Sequence, residues 1–186
     1  ISIYGLYYFS NFLSAFLLFI TISFYVFVYT IWLKRKTSQN IVIGGAAGAL
    51  PPVIGWTIAT NSLTFEPITF FLIIFFWTPS HFWALSLYKA YDYKKAKIPM
   101  LPITNGIEET KKNIFIYSII MLPIISLPYF IDFAGLIFLL ISYLLTFYYI
   151  YICYDLLQFK KNKFDLKKAK KVFSYSIVYL FLLFVL

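Results

Sequence analysis

Residues 12–33 read FLSAFLLFITISFYVFVYTIWL, 22 residues without a charge, and Lys34, Arg35 and Lys36 follow at once. A bilayer core takes about 20 consecutive apolar residues per helix, so this stretch predicts a membrane-spanning helix closed by a basic anchor. Upstream, residues 1–9 are equally apolar, and 1–33 as a whole is too long for one span at about 1.5 Å per residue. The polar pair Ser10 and Asn11 is the natural break, which makes 1–9 the tail of a preceding helix. Downstream, residues 41–60 and 67–88 predict two more spans, and a polar loop is expected over 89–112. Residues 113–131 and 133–154 then form a hairpin hinged at Asp132, and 172–186 is a last, short span.

The charges sort themselves along this plan. All 16 basic residues fall into three clusters: Lys34, Arg35 and Lys36; Lys89, Lys94, Lys95, Lys97, Lys111 and Lys112; and Lys160, Lys161, Lys163, Lys167, Lys168, Lys170 and Lys171. The alternate turns, near Ser10, residues 61–66 and Asp132, hold none. Basic residues stay on the cytoplasmic side during insertion, so the three clusters are expected in the cytoplasm or a mitochondrial matrix, with the chain in a bacterial or mitochondrial inner membrane. Helix order and charge alternation are separate readings, and they agree.

Composition excludes other classes. The chain is 62% hydrophobic and 12% charged, whereas soluble domains run at about 45–50% apolar and about 25% charged. The net charge of +9 does not point to nucleic acid, because its lysines sit in short loops between apolar runs rather than on a folded polar face. One cysteine, Cys153, permits no internal disulfide. No basic residues precede the first apolar run, as a signal peptide would require. The expectation is an all-α, polytopic transmembrane bundle forming a single domain over 1–186. Its first residue, Ile1, stands in mid-hydrophobic sequence, so an N-terminally incomplete domain is expected.

Three features carry candidate chemistry. Gly44, Gly45 and Gly48 let helix backbones approach closely, and Pro51 and Pro52 remove two backbone donors and should break the helix. A broken helix in lipid faces protein or a water-filled cavity, so this is a packing seam, a cavity wall, or both. His81, the only histidine, lies well inside a span, where ionisable groups are functional-site hypotheses. It is either a neutral imidazole bonded to a neighbouring helix or a contact, even an iron ligand, for a buried cofactor. Asp92 follows His81 by three turns, so a continuous helix would place His81, Leu85, Tyr88 and Asp92 on one stripe, with Asp92 about 16 Å nearer the basic side. A carboxylate among Lys94, Lys95 and Lys97 could hold Mg²⁺ against a diphosphate; the plainer alternative is a solvated loop in which Asp92 pairs with lysine. Trp32, Trp56, Trp77 and Trp83 are expected as packing residues or interface anchors.

Three stretches, in order, carry a resemblance: YTIWLKRKTSQNIVIGGAAGALPPVIGW at 29–56, WTPSHFWAL at 77–85 and DYKKAKIPMLP at 92–102. Together they resemble the protoheme IX farnesyltransferases, a family within the intramembrane aromatic prenyltransferases. The resemblance implies a nine-helix bundle, of which this chain would hold the end of the third helix through the ninth. It implies farnesyl transfer from farnesyl diphosphate to a vinyl group of haem B, giving haem O, with Mg²⁺ as cofactor and terminal-oxidase assembly factors as further partners. Asp92 would be catalytic and a metal ligand. Lys34, Arg35, Lys36, His81, Tyr88, Lys94, Lys95 and Lys97 would bind substrate. Two departures stand out: the family's first acidic motif has no counterpart in the chain, and Ala96 replaces the second aspartate of the superfamily's later motif. Such a chain is not expected to be catalytically competent by itself. The alternatives are a related prenyltransferase acting on a quinone precursor, and a small transporter or assembly subunit.

Overall fold

The computed structural model describes residues 1–158 and 166–186, and among them every regular element is a helix. The break expected at Ser10 and Asn11 is real. Helix α1 (Ser2–Phe9) ends there, and Asn11 caps α2 (Phe12–Ser23) by accepting from the Ser14 amide at 2.8 Å. The same carboxamide donates to the Thr57 carbonyl at 2.8 Å, and Ser14 Oγ donates to Thr57 Oγ1 at 2.9 Å. The start of α2 is thereby tied to the helix that holds Thr57.

Residues 12–33 are continuous as expected but not uniform. At Phe24 the α-helix widens into a π-helix that runs through Leu33. Its hydrogen bonds reach five residues back, as in Lys34 N–H to the Tyr29 carbonyl at 2.8 Å. Long π segments are rare and cluster at functional sites. After the basic turn come α3 (Asn40–Ala49) and α4 (Pro51–Thr60), separated at Leu50 because Pro51 has no amide hydrogen for the ladder.

Helix α5 (Phe65–Tyr88) is the axis of the bundle, buried on several faces and packed against α3, α4, α8 (Ile107–Phe130) and α10 (Leu166–Val185). A helix that is apolar all round belongs in such a place. Ile73, Trp83, Ala84 and Leu87 meet Ile114, Met121 and Ile125 of α8 (Ile107–Phe130) and Tyr149, Ile152 and Leu156 of α9 (Leu136–Gln158) in one core. The α8–α9 hairpin turns at Asp132, whose φ of 58° is left-handed, as expected of a hinge. Helix α10 (Leu166–Val185) closes the bundle against α5 and α9.

Two expectations change. The helix carrying His81 does not run on to Asp92: it stops at Lys89, where φ is −105° and ψ 17°, and a separate α6 (Ala90–Lys95) begins. His81, Leu85 and Tyr88 share one helix, but Asp92 does not extend their stripe. Nor is 89–112 an open loop. Met100 and Leu101 are sunk into the bundle beside a one-turn α7 (Leu101–Thr104), and α8 starts at Ile107 rather than 113. Gly106, with φ 89°, turns the chain into α8, and Glu108 and Glu109 fill the first turn, where carboxylates suit the helix dipole. Lys160, Lys161 and Lys163 of the third basic cluster lie outside the described residues.

Among the described residues five helices are long and apolar enough to cross a bilayer, and α10, over the expected span 172–186, is not one of them. Their outward faces carry Phe16, Phe27, Ile137, Leu144 and Tyr151, all exposed. Apolar surface on that scale marks contact with lipid rather than water, and the chain is an integral membrane protein.

Candidate functional site

Between the π segment, α3 and α5 lies a cleft of about 490 Å³, within the roughly 300–1,000 Å³ typical of small-molecule sites. Tyr25 and Tyr29 form one wall, and Ile74, Trp77, Thr78, His81 and Phe82 the other. The floor is the glycine run of α3, and the reason for glycine is local. A Cβ on Gly44 would stand 2.5 Å from the Tyr29 ring, and one on Gly45 3.1 Å from Thr78 Cγ2. The seam and the cavity wall are therefore the same residues: Gly44 seats Tyr29, and Gly45 lets α5 approach.

His81 is the inner polar group, 8% exposed. Its ring is sandwiched between Trp77, 4.3 Å away at 20°, and Phe173 of α10, 4.6 Å away at 26°. Nδ1 lies 2.7 Å from Ser176 Oγ. The Trp77 indole N–H donates to the Ser176 carbonyl at 2.9 Å, so α5 and α10 are locked in register at this level. Two turns nearer the basic end, Tyr88 packs its edge against Phe173 and lies under the Lys170 ammonium at 5.8 Å.

The basic residues gather at this same end. Lys34 stands 5.8 Å over the Tyr29 ring, at the edge of the cleft. The turn that presents Lys34, Arg35 and Lys36 is held by the buried Asn40, whose amide donates to the carbonyls of Thr37 at 2.8 Å and Lys34 at 3.3 Å. Arg35 and Lys36 are exposed, as are Lys94, Lys95 and Lys97 of the α6 stretch. Tyr93, half-buried beside Tyr29 and Tyr88, has its phenol pushed above the usual value by burial and by Tyr88, so it stays protonated. Asp92 is 63% exposed and pairs with Lys89 at 3.3 Å. Among the described residues no three acidic, histidine or cysteine side chains converge on a metal site. Mg²⁺ is commonly held by only one or two carboxylates together with substrate phosphates. Asp92 alone fits a metal that arrives with a diphosphate, not a pre-built cage.

The structure thus places His81 in the cleft wall, and Tyr88 farther along the same helix and outside the lining, with Lys34 and Lys170 over Tyr29 and Tyr88. Sequence reasoning did not single out Phe173, Ser176, Tyr25 or Tyr29. Trp77, expected as a packing residue, also lines the cleft. The motif at 77–85 was visible, but its partners on α10 are serine and phenylalanine at ordinary helical spacing and carry no signal of their own.

The described residues thus form a transmembrane helical bundle with an aromatic cleft beside a basic end. The UbiA prenyltransferase family matches residues 1–183, and the chain belongs to that family. It is 72% identical over 185 residues to the protoheme IX farnesyltransferase of Pelagibacter ubique, covering 100% of this chain and 61% of that protein. The protoheme IX farnesyltransferases of Parvibaculum lavamentivorans and Orientia tsutsugamushi are 48% and 52% identical, each over 94% of this chain and 55% and 54% of their own length. The chain thus spans between half and two-thirds of the curated relatives it matches. No solved structure matches it.

Proposed function

We propose that the chain forms the bulk of a protoheme IX farnesyltransferase, which moves a farnesyl group from farnesyl diphosphate to a vinyl group of haem B and yields haem O for terminal oxidases. The observation that carries the reading is the cleft itself: aromatic walls, one accessible imidazole, and lysines at its edge. The identity to proteins of that name supports the choice of substrates.

The reaction begins when the C1–O bond of farnesyl diphosphate breaks and diphosphate leaves with the electron pair. Lys34, Arg35, Lys36, Lys94, Lys95 and Lys97 stabilise that departing charge electrostatically. Asp92 would hold a Mg²⁺ that arrives with the diphosphate, and the ion would supply further charge neutralisation there. The allylic cation is attacked by the vinyl π-bond of haem B, forming the new C–C bond. Water then adds to the resulting cation and loses a proton. Tyr25, Tyr29 and Trp77 present ring faces to the cationic species, and the apolar walls keep water away until the C–C bond exists. His81 and Tyr88 position the porphyrin. The basic end faces the cytoplasm of a bacterial inner membrane, or the matrix side of a mitochondrial one, with terminal-oxidase assembly factors as the receiving partners.

The test is acceptor choice. The full-length gene product in lipid nanodiscs, given farnesyl diphosphate and Mg²⁺, should convert haem B to haem O, read by chromatography and mass. Prenylation of a quinone precursor with haem B left unchanged would replace this reading with that of a related prenyltransferase.

A further inference from the structure

The hydrogen-bond directions around Ser176 decide the protonation of His81. A serine hydroxyl has one proton to give, and Ser176 Oγ gives it to the Phe173 carbonyl at 2.6 Å. A carbonyl only accepts, so that proton is committed. The 2.7 Å contact between Ser176 Oγ and His81 Nδ1 must then be made by a proton on the imidazole: Nδ1–H donates and Oγ accepts. In the neutral ring the other nitrogen, Nε2, carries the lone pair. Nε2 has no partner among the described residues, and it is not one of the sealed, unpaired polar atoms of the core. His81 lines the cleft, and Nε2 is the one polar atom of its ring left for it.

From this we infer that Ser176 is a positioning residue: it holds His81 in the Nδ1–H form and aims a bare Nε2 into the cleft as an acceptor for the metal centre of a flat metalloporphyrin. This rests on the haem reading above and adds to it the atom that meets iron and the residue that prepares it. Ser176 acts twice. Its hydroxyl sets the tautomer, and its carbonyl receives the Trp77 indole N–H. Trp77 and Phe173 then fix the ring plane from both faces. A ligating histidine commonly donates its second ring N–H to a fixed acceptor, and loss of that acceptor costs about 10–100-fold in metal affinity.

His81 is the only histidine, so the chain labelled with ¹⁵N-histidine and purified without a histidine tag shows a single pair of ring nitrogens. The wild-type chain should give a protonated, pyrrole-type Nδ1 and an unprotonated, pyridine-type Nε2. Ser176→Ala should move the pair toward the Nε2–H form, and Ser176→Thr, which keeps the hydroxyl, should restore the original spectrum. A wild-type spectrum with Nε2 protonated, or one unchanged by Ser176→Ala, overturns the inference. Titration with haem B, followed by its Soret band, supplies the second arm. Ser176→Ala should weaken binding about 10–100-fold, with Ser176→Thr near wild type. Equal affinity in all three overturns the positioning role. If the tautomer is as stated but even the wild-type chain fails to bind haem, the proposed function fails while the tautomer assignment stands.

Discussion

The two ends of the candidate site are built on opposite principles. Around His81 each ring and hydrogen bond has a fixed counterpart: Trp77 and Phe173 on the faces, Ser176 on one nitrogen, a cleft on the other. Around Asp92 little is fixed, for the carboxylate is 63% exposed and its partner Lys89 is exposed as well. The proposed function gives the inner end a rigid, flat, apolar body to hold. The outer end is a field of charges on a short helix, suited to an anion whose position is set by electrostatics and metal rather than by fit. Changes at the inner end should therefore act on affinity and shape, and changes at the outer end on the rate of charge separation and its dependence on metal and salt.

Asp92→Asn should break the comparison most sharply. The substitution keeps the size and removes the charge, so metal held with diphosphate is lost while the fold is not. Turnover at saturating haem should fall by about 10²–10³, the range found when one electrostatic contributor to the transition state is removed, with little change in the haem requirement. Thermal stability should be nearly unmoved, because an exposed ion pair contributes about 0–1 kcal/mol. Near-normal turnover across a Mg²⁺ titration would leave Asp92 an ordinary surface charge and dissolve the distinction between the two ends.

At the inner end the sharper probe is the glycine floor. Gly44→Ala puts a methyl 2.5 Å from the Tyr29 ring, which must move, whereas a Cβ on Gly48 meets nothing within 4 Å. Overpacking of this kind costs about 1–3 kcal/mol. The displaced ring narrows the cleft, so Gly44→Ala should raise the KM for haem about tenfold, a change equivalent to about 1.4 kcal/mol. Gly48→Ala should be close to silent in both stability and KM. Equal effects at the two positions would show that the floor is generic helix packing and that the cleft is not shaped by Tyr29.

What could be read from the chain alone follows the same divide. Five of the spans, the break at Asn11, the interruption at Pro51 and the turn at Asp132 were legible because lipid imposes a long apolar run, and polar or proline residues interrupt it. His81 was legible as a rare polar group inside a span. The fold of 89–112 was not, because Met100 and Leu101 look like loop residues until the bundle offers them a place. The α10 side of the site was also hidden. Ser176 and Phe173 acquire meaning only when α10 is laid against α5, and no local pattern announces that pairing. The stripe from His81 to Asp92 failed for a related reason: periodicity cannot see that Lys89 leaves the helix. Widening of the helix at Phe24 likewise leaves no mark in an unbroken aromatic run.

The smallest effect tests how the outer end is tuned. Lys89 sits 3.3 Å from Asp92, three residues away, so its ammonium and an incoming Mg²⁺ would compete for one carboxylate. Lys89→Gln removes the competitor and keeps a side chain of similar reach. Both groups are well exposed, so the lost attraction is screened by water and salt, and stability should change by no more than about 1 kcal/mol. The same weakness limits the gain in metal binding. The Mg²⁺ concentration for half-maximal turnover should drop only about two- to threefold, and the drop should shrink as salt rises toward about 1 M, where the screening length falls to about 3 Å. A higher Mg²⁺ requirement in Lys89→Gln would mean the opposite arrangement, with Lys89 holding Asp92 ready or touching the diphosphate itself. In that case the outer end would be as preorganised as the inner one.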